Sequence, residues 1–98
     1  MKIKTQDLTG PALDWAVNQI EECCDDPHAP LFSTNWAQGG PIIEREEISL
    51  WTEGYTAWEA TSGGCQEWGS TPLIAAMRCY VASKLGDEVD VPEELMEV

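Results

Sequence analysis

Residues 71–86 constrain the fold more than any other part of the chain. Ser70 and Thr71 are both N-cap residues, Pro72 is tolerated in a first helical turn, and Gly86 can adopt the left-handed conformation that ends a helix. Between these signals Leu73, Ile74, Met77, Tyr80, Val81 and the Lys84-Leu85 pair trace a broad apolar stripe, with Ala75, Ala76 and Ala82 adding propensity and room for close approach. A helix with so wide a stripe has to be buried against another layer.

A second helix is predicted from Thr9 onward. Pro11 suits its first turn, and Leu8 and Leu13 stand where a hydrophobic staple places them. Leu13, Ala16, Val17, Ile20 and Cys24 recur on one face, which leaves Asp14, Asn18, Glu21 and Glu22 for water and Trp15 at the edge of the stripe. Residues 25–41 then read as one long loop, rich in Pro, Gly, Asp and Ser, with Phe32 and Trp36 packing back on the body.

The run from Ile48 to Thr52 alternates as a half-buried strand does, and Tyr55 to Thr61 repeats the pattern after Glu53-Gly54, which predicts a hairpin with a two-residue link. Ile48 and Leu50 face inward with Trp58 and Ala60, while Trp51 and Tyr55 sit near the exposed tip. A glycine-rich link through Gly63-Gly64 holds a short third strand around Cys65 to Trp68. Residues 87–98 read as an acidic C-terminal tail. The predicted fold class is α+β, in the order α-β-β-(β)-α, with two helices on a small antiparallel sheet. Residues 1–98 form one domain whose other sheet face is open to a partner or to a second copy. A homodimer would also relieve the thin stability margin of so short a chain.

Charge narrows the function classes. Eighteen Asp and Glu against five Lys and Arg give a formal charge of −13. Phosphate backbones and anionic membranes are repelled, so direct nucleic-acid binding and membrane binding are both disfavoured. Fast association with a basic protein surface is what such a charge promotes. The simpler alternative is that acidity only keeps a small protein soluble. No leader-like or membrane-spanning apolar run is present, which predicts a cytoplasmic location and reduced thiols.

The four cysteines, Cys23, Cys24, Cys65 and Cys79, lack the paired spacing of zinc ligands, and no metal or other cofactor is expected. One cluster stays open, formed by Cys23 or Cys24 with His28 and Cys65. His28 is the single histidine, and nothing in the sequence orients it for nucleophilic or acid-base catalysis; carboxylates are too common here to discriminate. No catalytic residues are assigned, and a non-enzyme is the expectation.

The five tryptophans say more. Trp58 and Trp15 suit the core. Trp36, Trp51 and Trp68 are harder to bury together and, with Tyr55, are the candidates for a partner or ligand surface. Arg45 and Arg78 either fix such a surface or pair with Glu44, Glu46 or Glu47.

Three blocks carry a family resemblance: Leu-Thr-Gly-Pro-Ala-Leu-Asp-Trp-Ala-Val at 8–17, Asn-Trp-Ala-Gln-Gly-Gly-Pro-Ile-Ile-Glu-Arg-Glu at 35–46, and the run from Thr71 to Val89 around Thr-Pro-Leu-Ile-Ala-Ala-Met-Arg-Cys-Tyr. The chain resembles the phage NinX-like proteins, a family of unknown function carried by lambdoid phages and prophages. The resemblance implies an accessory early-region product acting in the cytoplasm of an infected or lysogenic bacterium, and it implies no catalytic residues. Two functions from different classes follow. The first is a non-enzymatic acidic interaction module that inhibits a host nucleic-acid-binding or defence protein through its basic surface. The alternative is a small-molecule binder that sequesters a nucleotide-like signal in a tryptophan-lined pocket at a dimer interface, where Arg45, Arg78 or Lys84 would have to outweigh the surrounding acids.

Overall fold

The computed structural model describes residues 2–21, 32–52 and 57–92. Strand β1 (Lys2–Lys4) leads through a 3-10 turn at Thr5–Asp7 into α1 (Gly10–Glu21). Helix α2 (Trp36–Arg45), strands β2 (Ser49–Thr52), β3 (Trp58–Ser62) and β4 (Cys65–Gly69), helix α3 (Pro72–Leu85) and strand β5 (Glu88–Asp90) follow. The architecture is α+β, with more elements than the sequence suggested.

Helix α3 begins and ends as its caps dictate. The Thr71 hydroxyl accepts the Ile74 N–H at 3.1 Å, Pro72 occupies the first helical position, and Gly86, at φ +90°, stops the helix. Its burial is broader than a stripe: Leu73, Ala75, Ala76, Met77, Cys79, Tyr80, Val81 and Ala82 are all buried. A helix buried nearly all round lies at the centre of its fold. Here α3 lies on the three-stranded sheet, and α1 and α2 pack on α3 in turn. The last turn, Lys84 and Leu85, is exposed rather than part of the apolar surface. Leu8, Leu13, Ala16 and Val17 of the α1 region, together with Phe32, Ile42 and Ile48, complete the core.

The sheet has the order β2-β3-β4, antiparallel throughout. Leu50 stands opposite Ala60, as expected, whereas Trp58 stands between Thr52 and Gly69. With Thr52 paired to Trp58, residues 53–57 connect the strands, so the two-residue Glu53-Gly54 link is corrected to five residues, of which 53–56 lie outside the described residues. The two-residue turn is instead Gly63-Gly64, both at positive φ (54° and 88°), which joins β3 to β4. A two-residue turn with left-handed residues at both centres matches the twist of the flanking strands, and glycine adopts that conformation without strain.

Two segments depart from the sequence reading. The expected 25–41 loop ends early: residues 36–41 are the first half of α2, while 22–31 lie outside the described residues. Asn35 caps α2, its side-chain oxygen accepting the Ala37 N–H at 2.8 Å. Gly39-Gly40-Pro41 looks like a helix breaker, yet the helix runs through it because Gly39 packs against the Phe32 carbonyl and Leu73 where a larger residue cannot fit. Asp14, expected to face water, is buried and accepts the Ser33 N–H at 2.7 Å, pinning the turn at 32–34 to α1. Burial raises the Asp14 pKa, and the Ser33 hydrogen bonds oppose that rise.

The second departure is the expected 87–98 tail. Glu88–Asp90 is a strand paired antiparallel with β1, with Lys4 opposite Glu88, Ile3 opposite Val89 and Lys2 opposite Asp90. Val89 and Val91 are buried while Glu88 and Asp90 point out. That is period-two alternation, masked in the composition by its acids. Thr5 closes the joint, its hydroxyl donating to the Gly86 carbonyl at 2.6 Å and its N–H to the Asp87 carbonyl at 2.7 Å. Residues 93–98 lie outside the described residues.

The two adjacent glycines of α2 give a paired test. A Cβ at Gly39 would lie 2.5 Å from the Phe32 carbonyl oxygen, whereas one at Gly40 meets nothing closer than the Trp36 ring at 3.9 Å. Gly39→Ala is expected to lose about 1–3 kcal/mol of unfolding free energy through overpacking. Gly40→Ala is expected to hold or gain up to about 1 kcal/mol from helix propensity. Urea unfolding of the two variants checks the contrast.

Candidate docking surface

Side chains alternate across a strand, so the register assigns every residue of the sheet to a face. Leu50, Ala60, Glu67, Cys65 and Gly69 face α3; a Cβ at Gly69 would lie 2.6 Å from the Ala75 nitrogen. Ser49 and Trp51 of β2, Glu59 and Thr61 of β3, and Gln66 and Trp68 of β4 form the opposite face. Trp51 pairs with Glu59, and Glu59 with Trp68, so two indoles flank one carboxylate in a row across all three strands. Trp51 is 39 % and Trp68 50 % exposed, yet Glu59 between them is only 6 % exposed.

The other sequence candidates divide. Arg78 donates from Nε to the Leu8 carbonyl and from Nη1 to the Trp68 carbonyl, both at 2.7 Å, so it ties the end of β4 to the start of α1. Burial lowers its pKa, and Glu67 and Asp7 pull the other way. It also lines an open groove of about 350 Å³ with Gln6, Asp7, Ala57, Trp68, Gly69 and Ser70. Trp36, 53 % exposed, belongs to a separate and smaller groove of about 220 Å³ with Thr71 and Ile74. The structure thus puts Trp51 and Trp68 in one row and Arg78 beside Trp68, and leaves Trp36 elsewhere. Tyr55 lies outside the described residues.

Arg45 is committed to the fold. Its guanidinium grips Glu21 with two hydrogen bonds (3.1 and 2.7 Å), bonds Glu46 at 3.0 Å and the Tyr80 hydroxyl at 3.0 Å, and stacks 5.7 Å from the Tyr80 ring centroid. Tyr80 in turn donates to Glu21, and Lys84 reaches Glu46 at 3.5 Å. Glu21, Arg45 and Tyr80 therefore lock α1, α2 and α3 together. The Arg45 hydrogen bonds lower the Glu21 pKa, while burial raises that of Tyr80.

The thiols offer little chemistry where they are described. Cys79 is buried against β4, donating to the Cys65 carbonyl at 3.6 Å, and burial pushes its pKa up to about 11. Among the described residues no three His, Cys, Asp or Glu side chains are grouped to hold a metal. Cys23, Cys24 and His28 lie outside the described residues. Also among the described residues, no helix is long and apolar enough to cross a membrane.

Sequence reasoning missed Glu59. Its signal was positional, because only the register, not the composition, puts it opposite Trp51 on one side and Trp68 on the other.

Acid titration tests the helix lock. A carboxylate held below its ordinary pKa adds stability above the unfolded value, near 4.5, and loses it as pH falls through the folded value. Because Arg45 is half-exposed, the contribution is screened. Glu21→Gln is expected to be less stable than wild type by about 1 kcal/mol at neutral pH. The gap should close as pH drops below 4.5, and thermal melts across that range measure it. Asp14, whose pKa is raised, works in the opposite direction and is unchanged in both proteins.

No curated protein matches the chain. The family model described as bacteriophage P22 NinX matches residues 24–84, more than half of the sequence. The match takes in α2, the whole Trp51–Glu59–Trp68 sheet and nearly all of α3, including two of the three sequence blocks in whole or large part, and on that ground the chain belongs to the NinX family of phage accessory proteins.

Proposed function

We propose that this phage protein is a non-enzymatic docking module whose outer sheet face binds a basic protein of the host, with inhibition of a nucleic-acid-binding or defence protein as the outcome. The observation that carries the reading is the row of two exposed indoles across an otherwise polar sheet face. Tryptophan offers large contact area at small entropic cost and dominates interface energetics when it is buried by a partner. The formal charge of −13 supplies the other half: it accelerates encounter with a positive surface and discourages direct contact with nucleic acid. A protein whose own function is to hold DNA or RNA presents such a surface, and the cytoplasm of the infected cell is where the two meet.

The groove beside Trp68 and Arg78 favours a second reading, the capture of a small planar anion. Two features weaken it. Asp7 lines the same groove, and two of the Arg78 donor groups are already spent on the Leu8 and Trp68 carbonyls. Mass spectrometry of molecules released from the purified protein separates the readings.

Affinity capture from host cells tests the first. Trp51→Ala with Trp68→Ala should reduce recovery of the partner by about tenfold or more. Recovery by the unaltered protein should also fall steeply as salt rises from about 0.05 to 0.5 M. A partner retained equally by the double variant, or indifferent to salt, contradicts the proposal.

A further inference from the structure

The row across the sheet has a chemistry of its own. Glu59 is on the central strand with an indole on either side, and the residue is only 6 % exposed. Its carboxylate is not sealed in, since neither of its oxygens is a fully buried atom without a partner. Among the described residues no cation is paired with it. Of the five basic residues, Arg45 is bound to Glu21 and Glu46, Lys84 to Glu46, and Arg78 to two carbonyls, while Lys2 and Lys4 face Asp90 and Glu88 on the separate two-stranded sheet. A cation that pairs with Glu59 is therefore one that another molecule brings.

We infer that Trp51, Glu59 and Trp68 form a receptor for a guanidinium group, supplied by an arginine side chain of the partner protein. This rests on the docking role proposed above and names its chemistry. Neighbouring strands lie about 4.8 Å apart, so the two tryptophans stand roughly 10 Å apart with the carboxylate midway. That span admits a flat guanidinium lying against one indole face with its N–H edge turned toward Glu59. Indole faces attract cations, and guanidinium stacks on them better than ammonium because it is planar and weakly hydrated. Its paired N–H groups also match a carboxylate in two-point geometry. A metal ion finds one carboxylate and no further ligand in the row, and an anion meets Glu59 directly. Exposure of both rings leaves them free to part as the side chain enters.

The probe is an acetylated tetra-arginine amide, titrated into the 15N-labelled protein while the indole N–H signals are followed. Trp51 and Trp68 should shift together, with Trp15, Trp36 and Trp58 unmoved. A citrulline peptide of equal length, which keeps the shape but lacks the charge, should leave all five in place, and tetra-lysine should bind more weakly. Glu59→Gln should weaken tetra-arginine binding by about tenfold. Glu44→Gln, which removes an equal charge from an exposed position on α2, should change it less than about twofold. Equal losses in the two variants, shifts centred on Trp36, or binding of the citrulline peptide overturn the inference. If Glu59→Gln does not fold, the pattern of indole shifts in the unaltered protein decides alone. Tryptophan-dependent capture of a host protein without any tetra-arginine response at the row overturns the guanidinium receptor and leaves the docking role standing. A response at the row without salt-sensitive capture supports the receptor and removes the docking role.

Discussion

Burial of α3 on nearly every side is the constraint from which the remaining structure follows. Its Ala75, Ala76 and Cys79 let neighbours approach closely, while Leu73, Met77, Tyr80 and Val81 fill the space between layers. One sheet face covers one side of such a helix and no more, so the opposite side requires α1 and α2. The close approach is visible at both ends of the chain's packing: Gly69 of β4 touches the α3 backbone at Ala75, and Gly39 of α2 touches Leu73. Each glycine is there because a side chain would push a layer away from α3.

Apolar contact positions the layers, and a few polar contacts fix their register. Glu21, Arg45 and Tyr80 join three helices at one point, and Asp14 holds the turn at 32–34 through the Ser33 N–H. Thr5 does the same for the chain ends, spanning from the 3-10 turn to Gly86 and Asp87. These contacts account for Arg45, and they leave Arg78 as the only arginine bordering the outer surface near the indoles.

Legibility in the sequence followed how local each signal was. Helix α3 was readable because Thr71, Pro72 and Gly86 act on neighbouring residues, and the β2-β3 pairing because Leu50 and Ala60 sit in alternating runs. Helix α2 was hidden because Gly39, Gly40 and Pro41 are poor helix formers locally, and the reason for Gly39 is a contact with Phe32 and Leu73 that lies elsewhere in the chain. Strand β5 was hidden because Glu88 and Asp90 suggested a solvated tail, although the valines between and after them alternate. The candidate surface was half legible. Trp51 and Trp68 could be named as hard to bury, but that Glu59 lies between them depends on two strand registers at once, including a five-residue connection that Glu53-Gly54 disguised.

The outer face is arranged against the interest of stability alone. Exposed indole area forfeits about 25 cal/mol for every Å² left in water. A chain this short has little stability to spend, and replacing Glu59 by a β-branched residue would suit a central strand better on every local measure. Residues that break a local rule without a compensating contact inside the fold mark places where the compensation lies outside it. Trp51, Glu59 and Trp68 break it together, in adjacent register positions on one face, while the nearby Thr61, Ser49 and Gln66 obey it. Coincidence of three such departures in one row is the physical reason to look for the missing contact there, rather than along the acidic surface at large.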